Sequence, residues 1–252
     1  MPPLIIAAAQ SSSIAGDLAG NIARHQRFMK VAAEQGVQLL VFPELSLTGY
    51  ERALAAELAL APDAAALQPL RDFAQEVGVT TVVGMPIRLS DTAPVLIGAL
   101  VMGADGSLGV YSKQHLHLGE EVAFAPGYGG ETLLVGADTI ALAVCADFTH
   151  ASHATAAAEQ GADVYAAGVL ITEKGYGPDT GLLKGYAQTH SMVVLMANHG
   201  DATGGWESAG RSAIWSANGS LVAAAPGTGD LIVIARRDVD GWSGQVVSVM
   251  EA

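Results

Sequence analysis

The sequence predicts an α/β domain with mixed β-sheets and helices covering their outer faces. Two observations support this prediction. Apolar runs of strand length alternate with stretches of helical spacing, and several neighbouring runs are joined by short turns typical of hairpins. No residue-level repeat, low-complexity tract or linker rich in proline and serine interrupts the chain. We therefore predict one domain over residues 1–252.

The first elements follow from apolar patterning and from residues that end helices and strands. Asn21 is predicted to cap a helix that runs to about Gln35, and a second helix is predicted around 67–77. A glycine follows each of them, as is common after the last turn of a helix. The predicted strands of this part are 4–9, 37–42 and 79–83.

Hairpins and further strand–helix alternation follow. Apolar runs at 94–102 and 108–112 flank a turn containing Asp-Gly, which favours a hairpin. Runs at 131–135 and 139–144 repeat this arrangement around another glycine-containing turn. Beyond them we predict helices at 152–160 and 179–191 and strands at 162–167, 192–197, 213–216, 221–224 and 231–236.

Cys145 is the only cysteine, and it directly follows the apolar run 139–144. A nucleophile at the C-terminal end of a buried strand lies where open α/β sheets usually bind ligands. A free cysteine is also commonly a small buried hydrophobic residue. The position alone therefore leaves both interpretations open.

Two other stretches place ionisable residues at comparable positions. Glu44 follows the run that ends at Pro43, where partial desolvation would raise the pKa of its carboxyl toward that of a general base. Lys113 follows the second arm of a hairpin and precedes the acidic pair Glu120-Glu121. Each of these residues could instead belong to a solvated turn or loop.

Together the three stretches resemble the nitrilase superfamily of carbon–nitrogen hydrolases, in which Glu, Lys and Cys occur in this order. The resemblance extends over essentially the whole chain. It implies a four-layer α-β-β-α sandwich with two mixed sheets, usually paired into dimers that extend the sheets. The matching motifs are Phe42-Pro43-Glu44, Tyr111-Ser112-Lys113-Gln114-His115-Leu116, Gly119-Glu120, Phe124-Ala125-Pro126-Gly127 and Val144-Cys145-Ala146-Asp147.

The resemblance also implies a reaction, the hydrolysis of a small carboxamide with release of ammonia or an amine. Cys145 would be the nucleophile and Glu44 the group that accepts and returns protons. Lys113 would stabilise the oxyanion, with the backbone N–H of Ala146 as a second donor. The acyl group would be carried as a thioester.

Other residues are candidates for positioning the substrate. Glu120 is the candidate for the family's second glutamate, and Glu121 is the alternative because a shift of one residue would exchange them. Tyr50 could line the pocket or belong to the core. His150 could reach the pocket or only begin the following helix.

The sequence gives no sign of a metal or a cofactor. His115 and His117, and His150 and His153, are close enough in sequence to suggest zinc ligands, but no H-E-x-x-H motif is present. The glycine-rich segments do not match phosphate-binding motifs. We therefore expect no metal and no cofactor.

Charge and cysteine content limit the partners. The formal net charge of −13 is unlike that of proteins that bind nucleic acid or anionic membranes. The N-terminal apolar run is too short to span a membrane and lacks the layout of a signal peptide. A thiol that must stay reduced favours a cytoplasmic location. We expect a small-molecule substrate and, from the resemblance, a homodimer or a larger even homo-oligomer.

Two alternative functions remain. Nitrile hydrolysis is possible on the same scaffold, although Ala146-Asp147 stands where nitrilases usually have Trp-Glu. A catalytically silent binding protein on the same fold is the other alternative, which the presence of Glu44, Lys113 and Cys145 disfavours. A redox-sensing thiol would need a second thiol, which the chain lacks.

Overall fold

The computed structural model describes residues 3–249 and contains two mixed β-sheets that pack face to face. Helices pack on the outer face of each sheet. The predicted four-layer α-β-β-α sandwich is therefore confirmed.

Some neighbouring strands of the two sheets are consecutive in the chain and form hairpins, and others are joined by long connections. In chain order they are β1 (Leu4–Gln10), β2 (Leu39–Val41), β3 (Thr80–Ile87), β4 (Leu96–Met102), β5 (Leu108–Ser112), β6 (Leu133–Val135), β7 (Asp138–Val144), β8 (Val164–Val169), β9 (Val193–Asn198), β10 (Ala213–Trp215), β11 (Leu221–Ala224), β12 (Leu231–Asp238) and β13 (Gly241–Ser248). The seven-stranded sheet has the order β13-β12-β1-β2-β3-β4-β5, and the six-stranded sheet has the order β11-β10-β9-β8-β7-β6. Parallel pairing joins β1, β2 and β3 in the first sheet and β7, β8 and β9 in the second.

The helices lie between these strands in the chain. They are α1 (Leu18–Glu34), α2 (Ala55–Leu58), α3 (Gln68–Val77), α4 (Ala151–Glu159) and α5 (Glu173–His190). Short 3-10 turns occupy Arg52–Leu54, Ala65–Leu67, Glu120–Val122 and Cys145–Thr149. Between residues 3 and 249, no helix combines the length and the apolar character that a membrane span requires.

Alternation of side chains along the strands builds three apolar layers. On β1, Ile6 and Ala8 lie in the core between the sheets, whereas Ala7 packs in the outer core with residues of α1 and α3. On β7, Leu142 belongs to the central core and Ala143 to the core beneath α4 and α5. Each sheet is thus buried on both faces, which explains its nearly continuous apolar strands.

The predicted N-terminal cap of the first helix was wrong. Helix α1 begins at Leu18, and Asp17 caps it by accepting a hydrogen bond from the backbone N–H of Gly20 at 2.9 Å. Asn21 lies inside the helix, where its buried side chain bonds the backbone of Ile14 (2.8 Å) and of Leu47 (3.0 Å). The side chain of Asn21 therefore holds the loop before α1 in place and does not cap the helix.

Helix α2 was not predicted, and helix α5 and strand β13 also differ from the prediction. Helix α5 begins at Glu173, six residues before the predicted start, since packing of the helix on the sheet overrides the unfavourable Gly175, Gly177 and Pro178 in its first turns. Strand β13 was not predicted because its side chains are mostly exposed and lack apolar alternation. It forms through eight residue pairs with the neighbouring β12.

Two glycines let the segment that carries Glu44 pass between the sheets. A Cβ atom on Gly168 of β8 would lie 2.6 Å from the carbonyl oxygen of Phe42. A Cβ atom on Gly84 of β3 would lie 2.4 Å from the backbone nitrogen of Leu45. The absence of side chains at these two positions is therefore what permits the close backbone approach beside Glu44.

Substitution of Gly168 by alanine is expected to destabilise the fold by about 1–3 kcal/mol, because the new methyl group meets rigid backbone. Chemical denaturation measures this change. The control is Gly181→Ala on α5, where the new methyl group would have no neighbour within 4 Å. We expect that change to stabilise the protein by about 0.5–1 kcal/mol because alanine favours helix. Equal effects at the two positions would contradict the proposed close packing.

Candidate active site

Cys145 lies at a sharp turn between β7 and the 3-10 turn Cys145–Thr149. Its φ of 44° is in the left-handed region, which costs a residue other than glycine about 1–3 kcal/mol. The thiol is within sulfur hydrogen-bond range of the carbonyl oxygen of Leu170, at 3.8 Å. The strained turn therefore places the thiol at the end of a buried strand, as the sequence predicted.

Asp147 fixes this turn to the loop that contains Lys113. Its buried carboxylate accepts hydrogen bonds from the backbone N–H groups of Gln114 (3.0 Å), His115 (2.8 Å) and Val144 (3.1 Å), and from the hydroxyl of Tyr111 (2.7 Å). This role of Asp147 was not predicted from the sequence. The available signal was an acidic residue two positions after the cysteine, inside an otherwise apolar segment.

Glu44 follows β2, and its side chain is only 2% exposed. The next residue, Leu45, has a φ of 54°, so the backbone is strained here as well. The buried His199 donates a hydrogen bond from Nε2 to the carbonyl oxygen of Glu44 at 2.7 Å. Strained backbone, the neighbouring glycines and this hydrogen bond together hold the backbone from which the carboxylate projects.

Lys113 is fully buried and contacts two carboxylates. Its Nζ lies 2.6 Å from Oε1 of Glu44 and 2.8 Å from both carboxylate oxygens of Glu120. Glu120 also accepts hydrogen bonds from the hydroxyl of Tyr50 (2.6 Å) and the backbone N–H of His117 (2.7 Å). Glu121 is exposed and accepts a hydrogen bond from the backbone of its own loop. Of the two candidate glutamates, the structure brings Glu120 to the lysine.

Burial and charge set the protonation of the site. Burial raises the pKa of Glu44 to about 7, against the opposing effect of Lys113 and with a further increase from Glu120. Burial alone would lower the pKa of Lys113, but Glu44, Cys145 and Glu120 outweigh it and leave the pKa above its ordinary value. Burial and the nearby Glu44 raise the pKa of Cys145 well above its ordinary value, although Lys113 opposes them. A neutral thiol therefore lies beside a carboxyl group that can exchange its proton near neutral pH.

A cavity of about 270 Å³ opens at these residues. The predicted site residues Glu44, Tyr50, Cys145 and Ala146 line it. The remaining lining residues were not predicted from the sequence, and they are His117, Phe148, Thr149, Leu170, Ile171, Thr172, Gly175, Asp179 and Trp206.

His150 is exposed and does not belong to the residues that line the cavity. Its ring stacks on that of His115 with 3.8 Å between centroids, and Nδ1 lies 3.1 Å from the carbonyl oxygen of Ala146. Of the two interpretations of His150, the structure supports the start of the helix, because His150 is the N-cap of α4 and its side chain turns back over the 3-10 turn. Within residues 3–249, no three His, Cys, Asp or Glu side chains are arranged to hold a metal ion.

A four-layer sandwich with a cysteine directly after β7 is the arrangement of nitrilase-like folds. The sequence model of the carbon–nitrogen hydrolase family matches residues 5–244, so the chain belongs to that family. A nitrilase of Pyrococcus abyssi is 33% identical over 151 residues, which are 58% of this chain and 57% of that protein. The chain thus spans little more than half the length of this relative.

Solved structures share this fold. Saccharomyces cerevisiae Nit3, a member of branch 10 of the nitrilase superfamily, superposes with a TM-score of 0.87 at 20% identity, covering 95% of this chain and 91% of Nit3. The amidase from Nesterenkonia sp. AN1 superposes with a TM-score of 0.82 at 25% identity, covering 92% of this chain and 89% of that one. That amidase structure is of a mutant with the acetamide moiety of fluoroacetamide added covalently at its active-site cysteine.

Proposed function

We propose that the protein hydrolyses the carbon–nitrogen bond of a small carboxamide through a thioester on Cys145. The observation that carries this proposal is that Glu44 and Cys145 line one cavity and that the ammonium of Lys113 contacts the carboxylate of Glu44 at 2.6 Å. One carboxylate oxygen of Glu44, Oε2, is buried and has no hydrogen-bond partner at normal distance among the described residues. It is available to accept the proton of the thiol or of a water molecule.

Acylation begins when Glu44 accepts the thiol proton as the sulfur of Cys145 bonds to the carbonyl carbon. The negative charge that develops on the carbonyl oxygen is stabilised by the ammonium of Lys113 and by the backbone N–H of Ala146. The carbon–nitrogen bond then breaks, and Glu44 returns the proton to the leaving nitrogen. Ammonia or an amine departs, and the acyl group remains on sulfur.

Hydrolysis of the thioester uses the same groups. Glu44 accepts a proton from a water molecule whose oxygen attacks the acyl carbon, and the carbon–sulfur bond breaks. The thiolate of Cys145 regains the proton from Glu44, and the carboxylic acid leaves. Glu120 and Tyr50 take no part in bond formation, and they hold the ammonium of Lys113 in place through the contacts described above.

Nitrile hydrolysis is the second candidate, since the relative from Pyrococcus abyssi is named a nitrilase. A thiol adds to a nitrile carbon as it does to a carbonyl carbon, so the same three residues serve both reactions. Ammonia release from matched amide and nitrile pairs distinguishes them. We expect amides to be the better substrates, because Ala146-Asp147 replaces the usual Trp-Glu of nitrilases.

Intact mass spectrometry tests the proposed intermediate. Glu44→Gln protein is incubated with each member of an amide panel, and we expect a slow increase in mass equal to the acyl group. Solvent can accept the thiol proton at a low rate, whereas the thioester persists because no carboxylate activates water. Cys145→Ala/Glu44→Gln protein is the control and should gain no mass. Ammonia release by the unsubstituted protein without dependence on Cys145 would refute the proposal.

The pH dependence of activity follows from the raised pKa of Glu44. Only the ionised carboxylate accepts a proton, so kcat/KM for a neutral amide should decrease as pH falls through about 7. Well below that pH, the decrease should be about tenfold per pH unit. Initial rates between pH 5 and 9 measure it, with circular dichroism to exclude unfolding. A kcat/KM that stays nearly constant from pH 9 down to pH 5, as the ordinary glutamate pKa of about 4.3 would give, would contradict this role.

We further propose a homodimer, or a larger even homo-oligomer, in a cytoplasmic setting that keeps the thiol reduced. The family resemblance supports the assembly, and the exposed apolar side chains of Leu118 and Val122 are suited to contacts between subunits. Sedimentation velocity at micromolar concentration should show an even assembly. A monomer alone under these conditions would refute this proposal.

A further inference from the structure

The cavity at Cys145 contains polar residues that the proposed reaction does not use. Two of them are Thr172, the N-cap of helix α5, and Asp179 in its second turn, and Gly175 of the same helix also lines the cavity. A Cβ atom on Gly175 would lie 3.0 Å from Oδ2 of Asp179. The carboxylate of Asp179 therefore lies over the bare backbone of Gly175, on the side of the helix that lines the cavity.

This carboxylate is partly buried and forms no hydrogen bond or ion pair with any of residues 3–249. Burial raises the pKa of Asp179, and the nearby His117 opposes that effect only in part. A partly desolvated carboxylate without a protein partner has unused acceptor capacity. A cationic ligand in the cavity would supply the missing partner.

The charge of the cavity favours the same ligand. Its lining within the described residues includes two carboxylates, Glu44 and Asp179, and no lysine or arginine. The ammonium of Lys113 is already paired with Glu44 and Glu120, and Lys113 is not among the residues that line the cavity. An anionic substrate would therefore meet carboxylates without a free cation to pair with it.

Trp206 adds an aromatic surface to the same cavity. Its side chain is partly exposed, and its ring meets that of His117 edge to face with 6.3 Å between centroids. The face of an indole ring attracts cations such as a primary ammonium. Aromatic and carboxylate groups thus line one cavity with the proposed nucleophile.

We propose that the substrate is an amide with a primary ammonium group, which Asp179 and Trp206 bind while its carboxamide lies at Cys145. This inference rests on the proposed function for the identity of the reacting group. It adds that the substrate carries a positive charge, and it assigns Asp179 as a specificity-determining residue.

Binding to Cys145→Ala protein tests the inference without turnover. Calorimetry compares ω-amino amides from glycinamide to 6-aminohexanamide with neutral amides in which a methyl group replaces the ammonium, such as 4-aminobutanamide with pentanamide. At the best chain length we expect the cationic amide to bind at least about 10-fold more tightly than its neutral counterpart, as expected for a hydrogen bond to a charged group.

The variant Cys145→Ala/Asp179→Asn should lose this preference. Its control is Cys145→Ala/Asp63→Asn, which removes the same charge at an exposed position outside the cavity and should retain the preference. Equal or tighter binding of the neutral amides at every chain length would overturn the inference. The same holds for a preference that survives Asp179→Asn, and for absence of binding by any cationic amide.

Turnover by the unsubstituted protein separates this inference from the proposed function. Hydrolysis of pentanamide that depends on Cys145, without any preference for cationic amides, would support the hydrolase and overturn the role of Asp179. Selective binding that depends on Asp179, without hydrolysis of any amide, would support the cation site and overturn the reaction.

Discussion

Cys145→Ser protein is expected to lose at least about 10⁴-fold in kcat/KM on any amide that the unsubstituted protein hydrolyses. The reason is the match between proton donor and acceptor. The carboxyl of Glu44, with a pKa of about 7, can take the proton of a thiol as sulfur attacks. A serine hydroxyl is much less acidic, so the same carboxylate is a poor base for it.

Loss of the fold is not expected to explain this result. Serine and alanine are close to cysteine in size, so Cys145→Ser and Cys145→Ala should unfold near the temperature of the unsubstituted protein. Cys145→Gly should be at least as stable, because glycine relieves the strain of a φ of 44°. Retained turnover in Cys145→Ala would show that the thiol is structural.

Lys113→Met protein should lose at least about 10²-fold in kcat, the scale of one lost oxyanion contact. It should also lose about 3–5 kcal/mol of stability, since removing one partner leaves buried charge uncompensated. Among residues 3–249, Lys113 is the only cation paired with Glu44 and Glu120, each of which is almost fully buried. Steady-state kinetics and chemical denaturation measure the two effects.

A double substitution separates stability from catalysis. Lys113→Met/Glu120→Gln removes one buried negative charge together with the positive one, so it should recover part of the lost stability. Its activity should remain as low as that of Lys113→Met, because the ammonium is still absent. Recovery of activity along with stability would mean that Lys113 acts only by holding the fold together.

Local sequence patterns determined twelve of the thirteen strands between residues 3 and 249, most of the helices and the positions of three reactive groups. Glu44, Lys113 and Cys145 each follow an apolar run, and strands β2, β5 and β7 do end directly before them or within three residues. The spacing of apolar residues indicates whether a strand or helix is buried on one face or on both. A polar residue that follows an apolar run therefore correctly predicts the end of a strand. Where burial is low, as in β13, the same patterns carry no signal.

Only the tertiary structure decided which side chains meet. Glu44 and Lys113 are 69 residues apart in sequence, and His199 binds the backbone of Glu44 from 155 residues away. The choice of Glu120 over Glu121 and the burial of Asp147 depend on contacts of this kind. The placement of Asp179 in the cavity likewise depends on how α5 packs on the second sheet. Local patterns indicate which face of a single strand or helix is buried. The contacts between elements form only when the two sheets pack together and bring the strained turns at Leu45 and Cys145 to one site.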